Sequence, residues 1–197
     1  MSAILLVLAL AGYTDPTNVE LAEEALLLAC LPVPDSLAAM GIGEVSVVAD
    51  GSHEGGWFVV QSMTALLAER GIAVTGGEEG RGSVLQLRVR PMELRVSYGS
   101  VSRPWVVGAK RVERIAAAEI STQLVDSGGT VLMTLRSSGT AADEISWNDA
   151  DALAGSDSWN WLTAELPEGG GGGILEPIIV TGVVASLVYL FYSSRAD

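Results

Sequence analysis

The apolar run Ile174 to Tyr192, ILEPIIVTGVVASLVYLFY, constrains this chain more than any other stretch. Its nineteen residues, at about 1.5 Å each in a helix, reach roughly 28 Å, close to the hydrocarbon thickness of a bilayer. The one charge inside it, Glu176, lies a turn from the start, where a carboxylate reaches the headgroups. Pro177 sits near the N-terminal end, where a missing N–H costs little. Tyr189 and Tyr192 fall at the other end, where rings with a polar tip favour the membrane–water interface. A buried core helix or an edge strand would use the same Ile, Val and Tyr. The glycine run Gly169 to Gly173 ahead of the segment, and the absence of charge from Pro177 to Arg195, favour a membrane helix over 174–192. The expected anchor residues are Ile178, Val180, Val183, Val184, Leu187, Tyr189, Leu190 and Tyr192, with the lipid bilayer as partner and 193–197 as a short tail.

The rest of the chain has room for one domain of about 120 to 150 residues. A formal charge of −13 argues against nucleic acid, which needs a basic face to displace counterions. Charge is unevenly placed, because nine of the eleven basic residues lie between Arg81 and Arg136. Among them Arg88, Arg90 and Arg95 form a basic strip, a candidate face for an acidic protein partner or anionic headgroups. The same pattern also describes the solvated side of a sheet. The single cysteine, Cys30, rules out an intrachain disulfide.

Residues 1–12 contain the run AILLVLALAG, too short to span a bilayer but of the length of a signal-peptide core. Ala9-Leu10-Ala11 offers a small-x-small cleavage site, although no Lys or Arg precedes the run. A buried strand or the first turn of a core helix would read similarly. Leu27-Leu28-Ala29-Cys30 resembles the box before a lipoprotein cysteine, but Glu20, Glu23 and Glu24 stand where that box needs apolar residues. Cys30 therefore reads as a small buried residue. Thr17-x-x-Glu20 is a capping box, and Val19, Ala22, Ala25, Leu26 and Ala29 share a helical face, giving a helix over 19–31 stopped by Pro32 and Pro34. Residues 44–49 read as a strand, 57–70 as a helix closed by Gly71, and 72–75 as a short strand. The turn GGEEGRG over 76–82 fits neither a dinucleotide nor a phosphate loop.

From Val84 the period switches to two. Leu85, Leu87 and Val89 alternate with Gln86, Arg88 and Arg90; Met92, Leu94 and Val96 alternate with Glu93, Arg95 and Ser97, with a bend or bulge near Pro91. A loop with Trp105 follows over 103–111. Residues 112–125 read mainly as strand, and Asp126-Ser127-Gly128-Gly129 turns back into a strand over 131–137. The domain is thus expected over 17–140. Residues 141–173 read as an acidic, Trp-containing, Gly-rich linker. Trp147, Trp159 and Trp161 within it could dock on the domain, sit at the bilayer interface or wait for a partner.

The fold class these elements imply is α+β, a two-layer arrangement of a mixed, largely antiparallel sheet with helices on one face, plus the C-terminal transmembrane helix. The order helix, strand, helix, strand, meander resembles the small α/β domain of bacterial envelope assembly factors. Those include the curli-secretion-channel subunit, the amino-terminal domain of the TolB translocation protein and flagellar outer-membrane-associated proteins. The likeness rests on Leu66-Leu67-Ala68-Glu69-Arg70-Gly71-Ile72-Ala73-Val74 leading into strands and on the Asp126–Leu132 hairpin, and covers about residues 44–138. The tail also looks like that of small single-pass bacterial envelope proteins with no assigned activity. A secure lipoprotein cysteine, which the channel subunit would have, is missing, and a C-terminal membrane helix is foreign to TolB. No functional residues carry over from the resemblance.

The inventory for chemistry is thin. His53 is the only histidine, and one His with one Cys excludes zinc sites built from several such ligands. Asp143, Glu144, Asp149, Asp151 and Asp157 lack the spacing of a calcium loop, and no G-x-S-x-G elbow occurs. The chain therefore reads as non-catalytic, without a cofactor or metal. The expected function is a membrane-anchored envelope protein presenting a periplasmic domain for protein–protein interaction or assembly, self-association included. The alternatives are a tail-anchored cytoplasmic adaptor and a hydrolase using His53. A signal at the N-terminus would make 174–192 a stop-transfer segment with Arg195 inside, as the positive-inside tendency prefers.

Overall fold

A computed structural model describes residues 16–75, 85–102 and 109–156, together with Trp159, Trp161, Leu162 and Leu166. The signal-like run, the 76–82 turn, residues 103–108 of the Trp105 loop and the 174–192 segment with all eight anchor residues lie outside the described residues. No described helix is long and apolar enough to cross a membrane.

The first helix, α1 (Asn18–Cys30), begins at the expected capping box. The Glu20 N–H donates to Thr17 Oγ1 at 3.2 Å, and the Thr17 N–H donates to Glu20 Oε2 at 2.7 Å. The Thr17 N–H, and after it the Thr17 hydroxyl donating to Glu20 Oε2 at 3.0 Å, hold the Glu20 carboxyl below the usual carboxylate range. α1 stops ahead of Pro32 as expected, but Pro32 is itself helical. It occupies the first turn of a second helix, α2 (Pro32–Ala39), where its missing N–H would have no helical acceptor anyway. The chain continues through β1 (Glu44–Ala49), α3 (Gly56–Glu69), β2 (Ala73–Thr75), β3 (Leu85–Ser102), β4 (Arg111–Asp126), β5 (Val131–Ser146) and α4 (Trp147–Ser156).

The five strands form one sheet in the order β2-β1-β3-β4-β5. The short β1 pairs in parallel with β2 and β3, while β3, β4 and β5 make a long antiparallel meander. The fold is thus a mixed α+β domain with a mostly antiparallel sheet. Helices α1 and α3 cover one face, where Leu26, Met63, Leu67, Leu87, Ile120 and Leu124 are fully buried. Burial of such a cluster supplies the main driving force for the fold. A satellite cluster of Val112, Ile145 and Ala150 lies beneath α4, with Tyr98, Trp147, Leu153 and Leu166 against it.

Two expectations are corrected by the strands. The meander does not stop at Thr140: β5 runs on to Ser146, and residues 147–156 are helix where a linker was expected. Its inward residues include Ser137, Gly139 and Ala141, too small to print a strong alternation. They are small because α1 lies directly on them. A Cβ added to Gly139 would sit 2.1 Å from the Ala25 carbonyl oxygen and 2.6 Å from the Ala29 nitrogen. The second correction concerns Met92. A bulge between Pro91 and Glu93 adds one residue to β3, so Pro91 is buried and Met92 is 49% exposed instead of facing the core with Leu94 and Val96.

Candidate functional site

The bulge decides where the arginines point. Arg88 and Arg90 precede it and Arg95 follows it, with sequence parity reversed, yet all three emerge from the sheet face opposite the helices. All are exposed and have neighbours. Arg88 Nε donates to Gln86 Oε1 at 2.9 Å, Arg90 Nε lies 3.9 Å from Asp50 Oδ2, and Arg95 Nε lies 2.6 Å from Glu93 Oε1. Pairs this exposed contribute about 0–1 kcal/mol to stability, so the row is held loosely and can exchange partners. Farther across the open face Arg136 pairs with Glu119, which lowers the Glu119 carboxyl and raises the Arg136 guanidinium from their usual ranges. Arg111 lies 3.8 Å from Glu144, whose carboxylate also accepts from Ser102 Oγ at 2.7 Å. A shallow depression of about 450 Å³ opens there between Ser100, Ser102, Glu113, Ala142, Asp143 and Glu144.

The opposite face of the same strands holds a residue that sequence reasoning missed. Arg114 is fully buried and makes a two-pronged pair with Asp143, Nε to Oδ1 at 2.9 Å and Nη2 to Oδ2 at 2.5 Å. Its Nη1 donates to Asn18 Oδ1 at 2.9 Å and its Nη2 to the Pro16 carbonyl at 2.7 Å; Asn18 Nδ2 in turn donates to the Tyr98 hydroxyl at 3.0 Å. One guanidinium thereby ties the start of α1 to β3, β4 and β5, with the fork geometry that suits arginine. The signal was its phase: Arg114 shares parity with Val112, Ala116, Ala118 and Ile120, all inward.

His53 lies in the segment that leads into α3. Its Nδ1 accepts from the Gly55 N–H at 3.0 Å, shaping the turn into α3, and its ring meets Trp161 edge-on at 5.9 Å. Trp159 and Trp161 stack at 5.8 Å, and Trp159 meets Trp57 at 5.2 Å. Both tryptophans therefore dock on the domain, and the Val96 N–H donates to the Leu162 carbonyl at 2.7 Å, covering the β3 edge beyond the end of β1. Trp147 docks as well, at the start of α4 with Lys110 Nζ 5.6 Å above its ring. Cys30 is fully buried, and desolvation pushes its thiol up to about 12, which keeps it protonated. Among the described residues no group of three His, Cys, Asp or Glu is placed to hold a metal.

No protein-family model matches the chain, and no curated protein matches its sequence. Two solved structures align with part of the chain. A neuraminyllactose-binding hemagglutinin homolog from Helicobacter pylori aligns over 52% of this chain and 65% of its own, at 10% identity and a TM-score of 0.33. A minor lipoprotein from Acinetobacter baumannii aligns over 55% of this chain and 69% of its own, at 14% identity and a TM-score of 0.31. The chain thus spans a little under two thirds of the first of these neighbours.

Proposed function

We propose that this chain is a membrane-anchored, non-catalytic envelope protein that presents its α+β domain on the periplasmic side to a protein partner. In this reading it is an assembly or scaffold subunit of the curli-secretion-channel and TolB amino-terminal type. The observation that carries the proposal is the division of the sheet. Among the described residues, helices, tryptophans and the Arg114 network occupy one face, and the other carries Arg88, Arg90 and Arg95 exposed in a row along β3. A row of exposed, loosely paired guanidinium groups suits an acidic surface. The apolar run over 174–192 supplies the tether.

Fusions at residue 197 test the topology. Fluorescence from a fluorescent-protein fusion, with a silent alkaline-phosphatase fusion, is the expected pair of results; phosphatase activity without fluorescence overturns the periplasmic placement. The reading as a tail-anchored cytoplasmic adaptor predicts that reverse pattern, with residue 197 outside and the phosphatase fusion active. Extraction with alkaline carbonate leaves the chain in the membrane pellet if 174–192 is an anchor, and release of intact chain removes the anchor.

A further inference from the structure

The two edges of the sheet are unlike. One is β2, three residues long, and the exposed part of β3 beyond β1 is met by Leu162. The other is β5, sixteen residues long, and no described strand pairs with its outer side. Long edges are usually blunted by proline, lysine or a bulge, because their free N–H and C=O groups template another strand. Over Val131–Ser146 there is neither a proline nor a lysine, and the register shift opposite β4 is confined to the turn end.

We infer that β5 pairs antiparallel with β5 of a second copy of this chain, about a two-fold axis at Thr140, so that Arg136 of each copy faces Glu144 of the other. Side-chain alternation restricts the choice, since residues that face each other must emerge on the same side of the sheet. The two-fold must then fall on a residue, and the open side of β5 carries Leu132, Thr134, Arg136, Ser138, Thr140, Ala142 and Glu144. With the axis at Thr140, Ser138 faces Ala142, so the centre is small and admits close approach. Arg136 is the one base and Glu144 the one acid in that row, and only this register sets them directly opposite. Each already has a neighbour of opposite sign on β4, Glu119 for Arg136 and Arg111 for Glu144. The joined sheet therefore carries two continuous rows of alternating charge, Glu119–Arg136 of one copy followed by Glu144–Arg111 of the next.

The helix above this edge offers apolar surface to the same partner. Leu28 rests on Gly139 yet remains 43% exposed, and Leu31, one turn on, is 38% exposed. They share a groove of about 290 Å³ with Glu20, Glu23 and Glu24. A two-fold normal to the sheet places both α1 helices on one side, where a second copy covers those leucines. The inference concerns the described domain and holds on either side of a membrane.

Full-length chain carrying Thr140→Cys, in its own membranes and exposed to copper-phenanthroline, tests the inference. A covalent dimer is expected on a non-reducing gel. Ser127→Cys at the hairpin tip and the parent chain with its buried Cys30 are expected to stay monomeric. In the Thr140→Cys background, Arg136→Glu and Glu144→Arg each create two like-charge pairs across the axis, and each alone should lower the dimer yield about tenfold. Co-expression of the two differently tagged variants restores opposite charges at both positions, so the mixed dimer should return to the yield of the unsubstituted interface. That recovery also shows that neither variant had unfolded. Absence of a Thr140→Cys dimer, a stronger dimer through Ser138→Cys, or yields indifferent to the charge variants would each overturn the inferred pairing.

Discussion

Arg114 and Arg95 lie on adjacent strands of one sheet, and their settings could hardly differ more. Arg114 is sealed from solvent and held by Asp143, Asn18 and a carbonyl; Arg95 is 63% exposed and pairs with Glu93. The guanidinium group is the same, so the difference is one of surroundings. Removing a partner from a buried, hydrogen-bonded ion pair strands the remaining charge, whereas an exposed pair dissolves into water at little cost. The sheet has a side that holds the fold and a side whose charges are available to something else.

The largest expected effect tests the first side. Arg114→Ala leaves the Asp143 carboxylate without its ion-pair partner and should destabilise the domain by about 3–5 kcal/mol, read as a lower urea midpoint. Gly139→Ala comes next, since its methyl group meets α1 backbone at a distance no real contact shows. A loss of about 1–3 kcal/mol is expected, and an unchanged midpoint would mean that α1 does not sit on β5. Alkaline titration of Cys30 is smaller. Its folded pKa of about 12 stands above the ordinary 9.0, so burial of the neutral thiol stabilises the fold below pH 9 and that contribution fades as pH climbs toward 12. At pH 10 the parent should have lost about 1.4 kcal/mol relative to Cys30→Ala, each compared with its own value at pH 7. The smallest effect belongs to the open side, where Arg95→Ala should shift stability by less than about 1 kcal/mol.

How far the sequence could be read follows from the same physics. The capping box of α1, the strand over 44–49, the α3 helix and the alternation on β3 and β4 were legible because each is a local pattern. Pro32 marked the end of α1, but α2 went unread because a proline that ends one helix also suits the first turn of the next. The far half of β5 was hidden because close packing of α1 demands Ser137, Gly139 and Ala141, residues that turns also favour. Arg114 was written in the pattern, in phase with an apolar row, but a charge in that phase needs Asp143 and Asn18 to make sense. Those partners lie 29 and 96 residues away along the chain, which no local pattern reveals. The exposed arginines were found from the sequence, although their common face depends on a bulge whose phase shift only the strand pairing fixed.

Equilibrium urea unfolding of Arg114→Ala beside the triple variant Arg88/Arg90/Arg95→Ala tests the division of the sheet most directly. The midpoint should be sharply lowered by the single buried substitution and stay close to that of the parent for the three exposed ones together. A triple variant that unfolds as readily as Arg114→Ala would show that the open face is part of what holds the domain together, and the division would fail.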